Sequence, residues 1–264
     1  CGCLSAPILS AAAPGSLEPG EAPGAQAYLP EDWKVLLVAG SYTDEDQEIL
    51  NWDRAMEGMQ DWLLVQGVLP QNIRILTSTP TRIGRDQRGT EVQPAEVRFI
   101  EESLVSLDIN EGEPVMIYIS SHGGKNLGIW FERRREYLSS NNLHRYLETY
   151  LPQNPAVILL SACYSGQFIQ GEVSGEDHYT RDADSLVQDH RIILTAARND
   201  RSSFGCGAGS KMPVWDAGLM EALAEAGPES SWRKLAQRVK DYVKSQEQGY
   251  EEDSRSYPQA SVPQ

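Results

Sequence analysis

The sequence predicts an α/β fold with a mainly parallel, six-stranded sheet and helices on both of its faces. Short continuous apolar runs alternate with segments in which apolar residues recur at helical spacing. The runs VMIYIS, residues 115–120, and AVILLSA, residues 156–162, show no polar alternation, which is typical of strands buried on both faces. Both runs lead directly into chemically useful residues. Open α/β sheets carry their sites at this carboxyl edge.

Apolar runs and helical spacing define the expected elements in chain order. The expected strands are residues 34–40, 73–76, 115–120, 156–162 and 191–197, with a short β-excursion at 127–131. The expected helices begin near Trp52, at Pro94 and after Ser139, and two more follow around Trp215 and Trp232. Residues 77–93 show no hydrophobic period, so a long loop is predicted there. Because strands that alternate with helices form parallel sheets, this order predicts a parallel core between two helical layers.

Composition argues against several classes of function. The 264 residues carry a formal net charge of −15, whereas nucleic-acid binding requires clustered Lys and Arg. The basic run Arg133–Arg135 lies between Glu132 and Glu136 and is interpreted as a solvated surface turn. No apolar run approaches the roughly 18 residues of a membrane-spanning helix. The 4 cysteines and 4 histidines form no C-x-x-C or H-E-x-x-H motif, so neither a metal nor a cofactor is expected.

The amino-terminal part of the chain is predicted to be an anchor followed by a tether. Residues 4–30 are rich in Ala, Pro, Gly and Ser, a composition typical of a flexible linker. With Cys1 as its first residue, the chain is similar to bacterial lipoproteins after signal-peptide removal, in which this cysteine carries the lipid. By the same resemblance, Gly2 favours the periplasmic side of the outer membrane over the inner membrane. A chain shortened before residue 1 is the alternative.

Three segments are expected along the chain. They are the lipidation cysteine and linker at residues 1–31, one folded domain at residues 32–248 and a disordered tail at residues 249–264. Within the domain, the polar stretch between Gly166 and His190 carries no core signal. It is either a mobile loop or a linker that is cleaved.

A histidine and a cysteine follow two of the expected strands. One helix separates these strands along the chain, so they are expected to be neighbours, with His122 and Cys163 at the same edge. A thiolate nucleophile and an imidazole that carries the proton are suited to covalent acyl transfer. The backbone amides of Gly123 and Cys163 are candidate donors to the developing oxyanion. The alternatives are a buried filler cysteine and a structural histidine at a strand end.

At these residues the chain resembles the caspase-fold cysteine peptidases, specifically the legumain-like family and a bacterial branch of it. The resemblance lies in YISSHGG at residues 118–124 and LLSACYSG at residues 159–166, with His before Cys by 41 positions. A third block, LTAARNDRSSFGC at residues 194–206, is similar to the family's next strand and the turn after it. The resemblance implies a caspase-like three-layer sandwich.

The resemblance also implies an activity and a set of site residues. It implies that His122 and Cys163 form a dyad that cleaves peptide bonds in peptide or protein substrates. Ser202, Ser203 and Phe204 would line the substrate cleft, where backbone groups can pair with an extended peptide.

Asp216 falls where legumain keeps an acid in its specificity pocket, and a carboxylate in the first turn of a helix is the alternative. Three departures from the family pattern surround the site. Leu50 and Asn51 stand in place of an Arg-His pair, Tyr164 in place of an acid after the cysteine, and Ser161 in place of a carboxylate two residues before it. Cleavage after asparagine is therefore not expected, and Tyr164 joins the candidate substrate-binding residues.

The sequence favours a lipid-anchored cysteine endopeptidase that acts outside the bacterial cytoplasm through a thioester acyl-enzyme. Transpeptidation or transamidation by the same dyad is a second hypothesis, because an amine can resolve the thioester in place of water. A non-catalytic binding scaffold with the same fold is the third hypothesis.

Overall fold

The computed structural model describes residues 30–41, 51–86, 88–170, 185–205, 210–226 and 230–263. Within them the strands are β1 (Lys34–Ala39), β2 (Ile73–Thr77), β3 (Gly84–Arg85), β4 (Glu91–Pro94), β5 (Val115–Ser120), β6 (Gly123–Gly124), β7 (Gly128–Phe131), β8 (Glu136–Leu138), β9 (Ala156–Ser161), β10 (Arg191–Thr195) and β11 (Gln259–Ser261). The helices are α1 (Asn51–Gln66), α2 (Val97–Ser106), α3 (Ser140–Tyr150), α4 (Gln167–Gln170), α5 (Val214–Ala224) and α6 (Trp232–Gln246).

The central sheet has eight strands in the order β11-β10-β9-β5-β1-β2-β4-β3. All neighbours pair in parallel except the two outermost pairs, β11 with β10 and β3 with β4, which are antiparallel. Every residue of β5 and β9 is buried, as the continuous apolar runs predict for strands covered on both faces. The predicted α/β class, with a mainly parallel sheet and helices on both faces, is confirmed.

Two separate hydrophobic cores lie on the two faces of the sheet. Helices α1, α5 and α6 pack on one face, where the core includes Leu37, Tyr118 and Leu159. Helices α2 and α3 cover the other face together with the small antiparallel sheet β6-β7-β8. Alternate residues of each central strand enter alternate cores, because successive strand side chains point to opposite faces. The result is a three-layer arrangement with the sheet in the middle.

The edges of the sheet differ from the sequence prediction. The sheet has eight strands rather than six, because β3 and β4 form inside the predicted loop and β11 forms inside the predicted tail. Pro94 ends β4 instead of opening a helix, and α2 begins at Val97. The prediction of disorder is wrong for β11, whose three residues pair antiparallel with β10. None of the described helices is long and apolar enough to cross a membrane.

Candidate active site

The site is built where β5 and β9 end side by side. Their parallel register pairs Ser120 with Ser161, and the N–H of Ser121 donates to the carbonyl of Ser161 at 2.9 Å. The prediction that these strands are neighbours is confirmed. His122 and Cys163 each follow two residues after this last pair, so both leave the sheet at the same level.

Gly123 packs directly on the backbone of Cys163. A methyl group on Gly123 would overlap the Cys163 carbonyl oxygen and lie 3.0 Å and 3.1 Å from its carbonyl carbon and amide nitrogen. The absence of a side chain therefore allows the two strand ends to meet. Gly123 lies opposite Ile129 in the small sheet. The adjacent pair, His122 and Trp130, is hydrogen-bonded, because the N–H of Trp130 donates to the carbonyl of His122 at 2.9 Å. Hydrogen-bonded and non-bonded pairs alternate in an antiparallel ladder, so the N–H of Gly123 points away from β7.

The imidazole of His122 lies against a buried tryptophan. The Trp52 ring, at the start of α1 and 1% exposed, meets the His122 ring edge-on with 4.6 Å between centroids. Burial lowers the pKa of His122 from its usual value, and the negative charge of Glu132 opposes this effect only in part. The lowered pKa favours the neutral imidazole, the form that can accept a proton at neutral pH.

The sulfur of Cys163 is held by one residue of the loop after β10. The N–H of Ser203 donates to Sγ at 3.3 Å, and the Ser203 hydroxyl lies 3.6 Å from Sγ. Tyr164, directly after the cysteine, has a φ of +58°, a conformation that is uncommon for a residue with a side chain. Its N–H donates to the carbonyl of Arg201 at 2.8 Å, which holds this sharp turn in place.

The predicted substrate residues of this loop lie beside the cysteine. Ser202 is exposed, and its hydroxyl donates a hydrogen bond to the Tyr164 hydroxyl at 3.3 Å. Ser203 contacts Sγ, as described above. Phe204 is half-buried, and its carbonyl accepts a hydrogen bond from Val214 at 3.0 Å. The structure thus brings Tyr164, Ser202 and Ser203 together at Cys163, whereas the contacts of Phe204 are with Val214 and with Tyr250.

Asp216 lies in the first turn of α5, completely buried beneath the two strand ends. Its carboxylate accepts hydrogen bonds from the hydroxyls of Tyr118 at 2.7 Å, Ser120 at 2.8 Å and Ser161 at 2.8 Å. Burial raises the pKa of Asp216 to about 6, and the three hydrogen bonds oppose this rise. The carboxylate therefore links α5 to both strands of the site, and contact with substrate would require these bonds to be exchanged.

Comparisons with known proteins show the family and support the fold. The model of the peptidase C13 family matches residues 98–255, more than half of the chain and both strand ends. The chain belongs to the peptidase C13 family. The crystal structure of caspase-1 from Spodoptera frugiperda is similar in fold, with a TM-score of 0.56, 12% identity and a match covering 88% of each chain. No curated protein matches the chain significantly. The protein is thus a legumain-like cysteine peptidase with a caspase-like fold, as the resemblance in its motifs implied.

Two residues of this C13 peptidase reach the site in roles that the motifs do not indicate. Trp52 has the spacing of a helix core residue, and only the fold places its ring on His122. Tyr118 belongs to a continuous apolar run, so its hydrogen bond to Asp216 depends on where α5 packs. Ser161, by contrast, stands out in the sequence because it departs from the family pattern. In the structure its hydroxyl donates a hydrogen bond to Asp216.

Some of the predictions fall on residues outside the described ranges. Lipidation of Cys1 is one of these, as is the position of Leu50. Most of the polar stretch after α4, residues 171–184, is another, so its cleavage stays a prediction. Within the described residues, no group of three or more His, Cys, Asp or Glu side chains is placed to hold a metal ion.

The buried carboxylate of Asp216 is expected to make stability depend on pH. Its pKa is about 6 in the folded chain against 3.8 for a free side chain, so between these values the folded state binds more protons than the unfolded state. The free energy of unfolding should therefore fall as pH rises from below about 4 to above about 6, by about 3 kcal/mol in total from this group alone.

The measurement is urea unfolding of the wild type and of Asp216→Asn across this pH range. Asparagine has nearly the same shape and does not titrate, so the variant should lack this part of the pH dependence. Parallel curves for the two proteins would show that Asp216 does not titrate between these pH values.

Proposed function

We propose that this peptidase cleaves peptide bonds with Cys163 as nucleophile and His122 as the base and acid that moves the proton. The observation that carries the proposal is the meeting of the two strand ends, where Gly123 touches the backbone of Cys163. This contact exists because β5 and β9 are adjacent and in register. The contact of Ser203 with the sulfur adds a loop suited to guiding a substrate to the cysteine.

The proposed reaction has two stages. His122, neutral because burial lowers its pKa, takes the thiol proton while Sγ attacks the carbonyl carbon of the scissile bond. The amides of Gly123 and Cys163 donate to the oxyanion. Collapse of this intermediate breaks the C–N bond, the amine leaves with the proton from His122, and a thioester remains on Cys163. His122 then takes a proton from water while the water oxygen attacks the carbonyl carbon of the thioester. The C–S bond breaks, the carboxylic acid is released, and the proton on His122 returns to the Cys163 sulfur.

Substrate binding is proposed for the loop beside the cysteine. Ser202 is exposed next to the Tyr164 hydroxyl, and the chain at residues 201–205 forms neither helix nor strand. An extended peptide can pair with such a segment through backbone hydrogen bonds. Phe204 would then supply an apolar wall. Asp216 would select a basic or small polar residue at the cleavage site, but only after its hydrogen bonds to the three hydroxyls break.

The test is to profile a peptide library with the purified wild-type protein, with and without an added primary amine. Products are identified by mass spectrometry, and the thiol is titrated in parallel with iodoacetamide. Hydrolysed products that disappear on alkylation of Cys163 support the proposal. Products that carry the amine would show transamidation instead. If the untreated protein cleaves no peptide although its Cys163 reacts with iodoacetamide, the scaffold hypothesis is favoured.

A location in the bacterial cell envelope is a separate proposal. The Ala-, Pro-, Gly- and Ser-rich composition of residues 4–30 supports a tether between an anchor and the peptidase. A lipid on Cys1 would be the anchor. Mass spectrometry of the amino-terminal peptide from protein made in a bacterial envelope tests it, and an unmodified Cys1 in that peptide would contradict it.

A further inference from the structure

The carboxyl-terminal segment, residues 250–261, lies against the cleft loop, defined here as residues 198–204. The rings of Tyr250 and Phe204 stack with 4.9 Å between centroids and an angle of 11° between planes. Arg201 pairs with Asp253 at 3.3 Å. The N–H of Arg198 donates to the carbonyl of Ser256 at 2.8 Å. The segment thus touches the cleft loop at its beginning, middle and end.

The cleft loop holds the nucleophile from its other side. The N–H of Ser203 donates a hydrogen bond to the sulfur of Cys163, and the carbonyl of Arg201 accepts one from the N–H of Tyr164. Tyr164 needs this support because its left-handed backbone conformation is strained. Arg201 therefore bonds the turn of Cys163 through its carbonyl and the carboxyl-terminal segment through its side chain.

The carboxyl-terminal segment is itself firmly attached to the fold. The Glu247 carboxylate is buried at the end of α6. It accepts hydrogen bonds from the Ser256 hydroxyl at 2.6 Å and from the Ser256 N–H at 3.2 Å. Strand β11 pairs with β10, where Thr195 faces Gln259. An element attached at residue 256 and along β11 can restrain a loop that packs against it.

We propose that the carboxyl-terminal segment is a positioning element of the active site, with Tyr250 as its main contact. It rests on the proposed function, since the loop it restrains is the one that contacts Cys163 and receives the substrate. The stacked ring of Tyr250 keeps Phe204 and Ser203 in place, so that the Ser203 N–H stays directed at the sulfur. In this proposal the segment acts through the cleft loop and not on the reacting atoms.

The test compares Tyr250→Ala, Tyr250→Phe and the double variant Tyr250→Ala/Asp253→Ala. Tyr250 is 48% exposed and the Asp253 side chain 93% exposed, so these changes should leave the melting temperature nearly unchanged. In Tyr250→Ala, kcat/KM for a cleaved peptide should fall about 3- to 10-fold, the range that a stacked aromatic pair is worth. Tyr250→Phe keeps the stack and should restore the wild-type value. Val65→Ala, which truncates a 66% exposed side chain on α1, is the matched control.

A second readout needs no substrate. The rate of Cys163 alkylation by iodoacetamide at neutral pH, followed on the Cys163 peptide by mass spectrometry, should fall in the double variant because the Ser203 N–H is no longer directed at Sγ. Wild-type kcat/KM and a wild-type alkylation rate in the double variant would overturn the proposal. If the wild type cleaves no peptide, the proposed function fails, and the alkylation rates alone decide whether the segment positions the cleft loop.

Discussion

Replacement of Cys163 with alanine is expected to lower kcat/KM for peptide cleavage by about 10,000-fold or more, while the melting temperature changes little. The alanine side chain cannot form the thioester through which the proposed reaction passes. Cys163 is only half-buried, and its sulfur makes long contacts of 3.3 Å and 3.6 Å with Ser203, so the stability cost should be small. The measurement is initial rates on a cleaved peptide, with thermal unfolding of both proteins.

Cys206→Ala is the matched control, because it removes another cysteine, one that belongs to the block at residues 194–206 and lies outside the described residues. It should keep the wild-type rate. Equal losses in the two variants, or hydrolysis that survives in Cys163→Ala, would contradict the role of Cys163 as nucleophile.

The pH profile of the wild type tests the partner of the cysteine. In the proposed reaction neutral His122 accepts the thiol proton, and burial lowers the pKa of His122 from the usual value of 6.5. Protonation on the acid side should therefore remove activity, with the midpoint of the acid limb of kcat/KM below about 6.5. Trp52→Phe keeps a ring against His122 and should preserve this limb. A midpoint well above 6.5 would contradict a neutral, buried base.

Replacement of Gly123 with alanine is expected to lower kcat/KM by about 100-fold or more, the loss that follows a displacement of about 1 Å at a reacting centre. The new methyl group would overlap the carbonyl oxygen of Cys163, which is backbone and cannot rotate away. The two strand ends must therefore separate, which moves His122 and the Gly123 amide away from the sulfur. The melting temperature should also fall, because the ends of β5 and β9 belong to the core of the sheet.

Gly58→Ala in α1 is the matched control for this change. A methyl group there meets the sulfur of Met220 at 3.3 Å, a flexible side chain that can yield. Alanine also favours helix over glycine, so stability should be equal or higher and activity unchanged. Wild-type activity in Gly123→Ala would show that the close approach of the strand ends is not required for catalysis.

The central strands were predictable because a strand buried on both faces has a continuous run of apolar residues. This is clear for β5 and β9, and the single helix between them was enough to predict that they are neighbours. The short edge strands β3, β4 and β11 carry few apolar residues, so no local pattern marks them. They form because a neighbouring strand offers unpaired backbone groups, which is a property of the assembled sheet.

For the site, the sequence was enough to predict that His122 and Cys163 follow neighbouring strands, and its motifs were enough to predict the peptidase family. The first prediction was possible because strand ends of one parallel sheet share an edge, wherever the connecting helices pack. The tertiary structure alone decided that Trp52 lies on His122, that Asp216 binds three hydroxyls beneath the site, and that Tyr250 stacks on Phe204. These contacts join distant parts of the chain through side chains of ordinary composition, so their position depends on packing and not on any local sequence pattern.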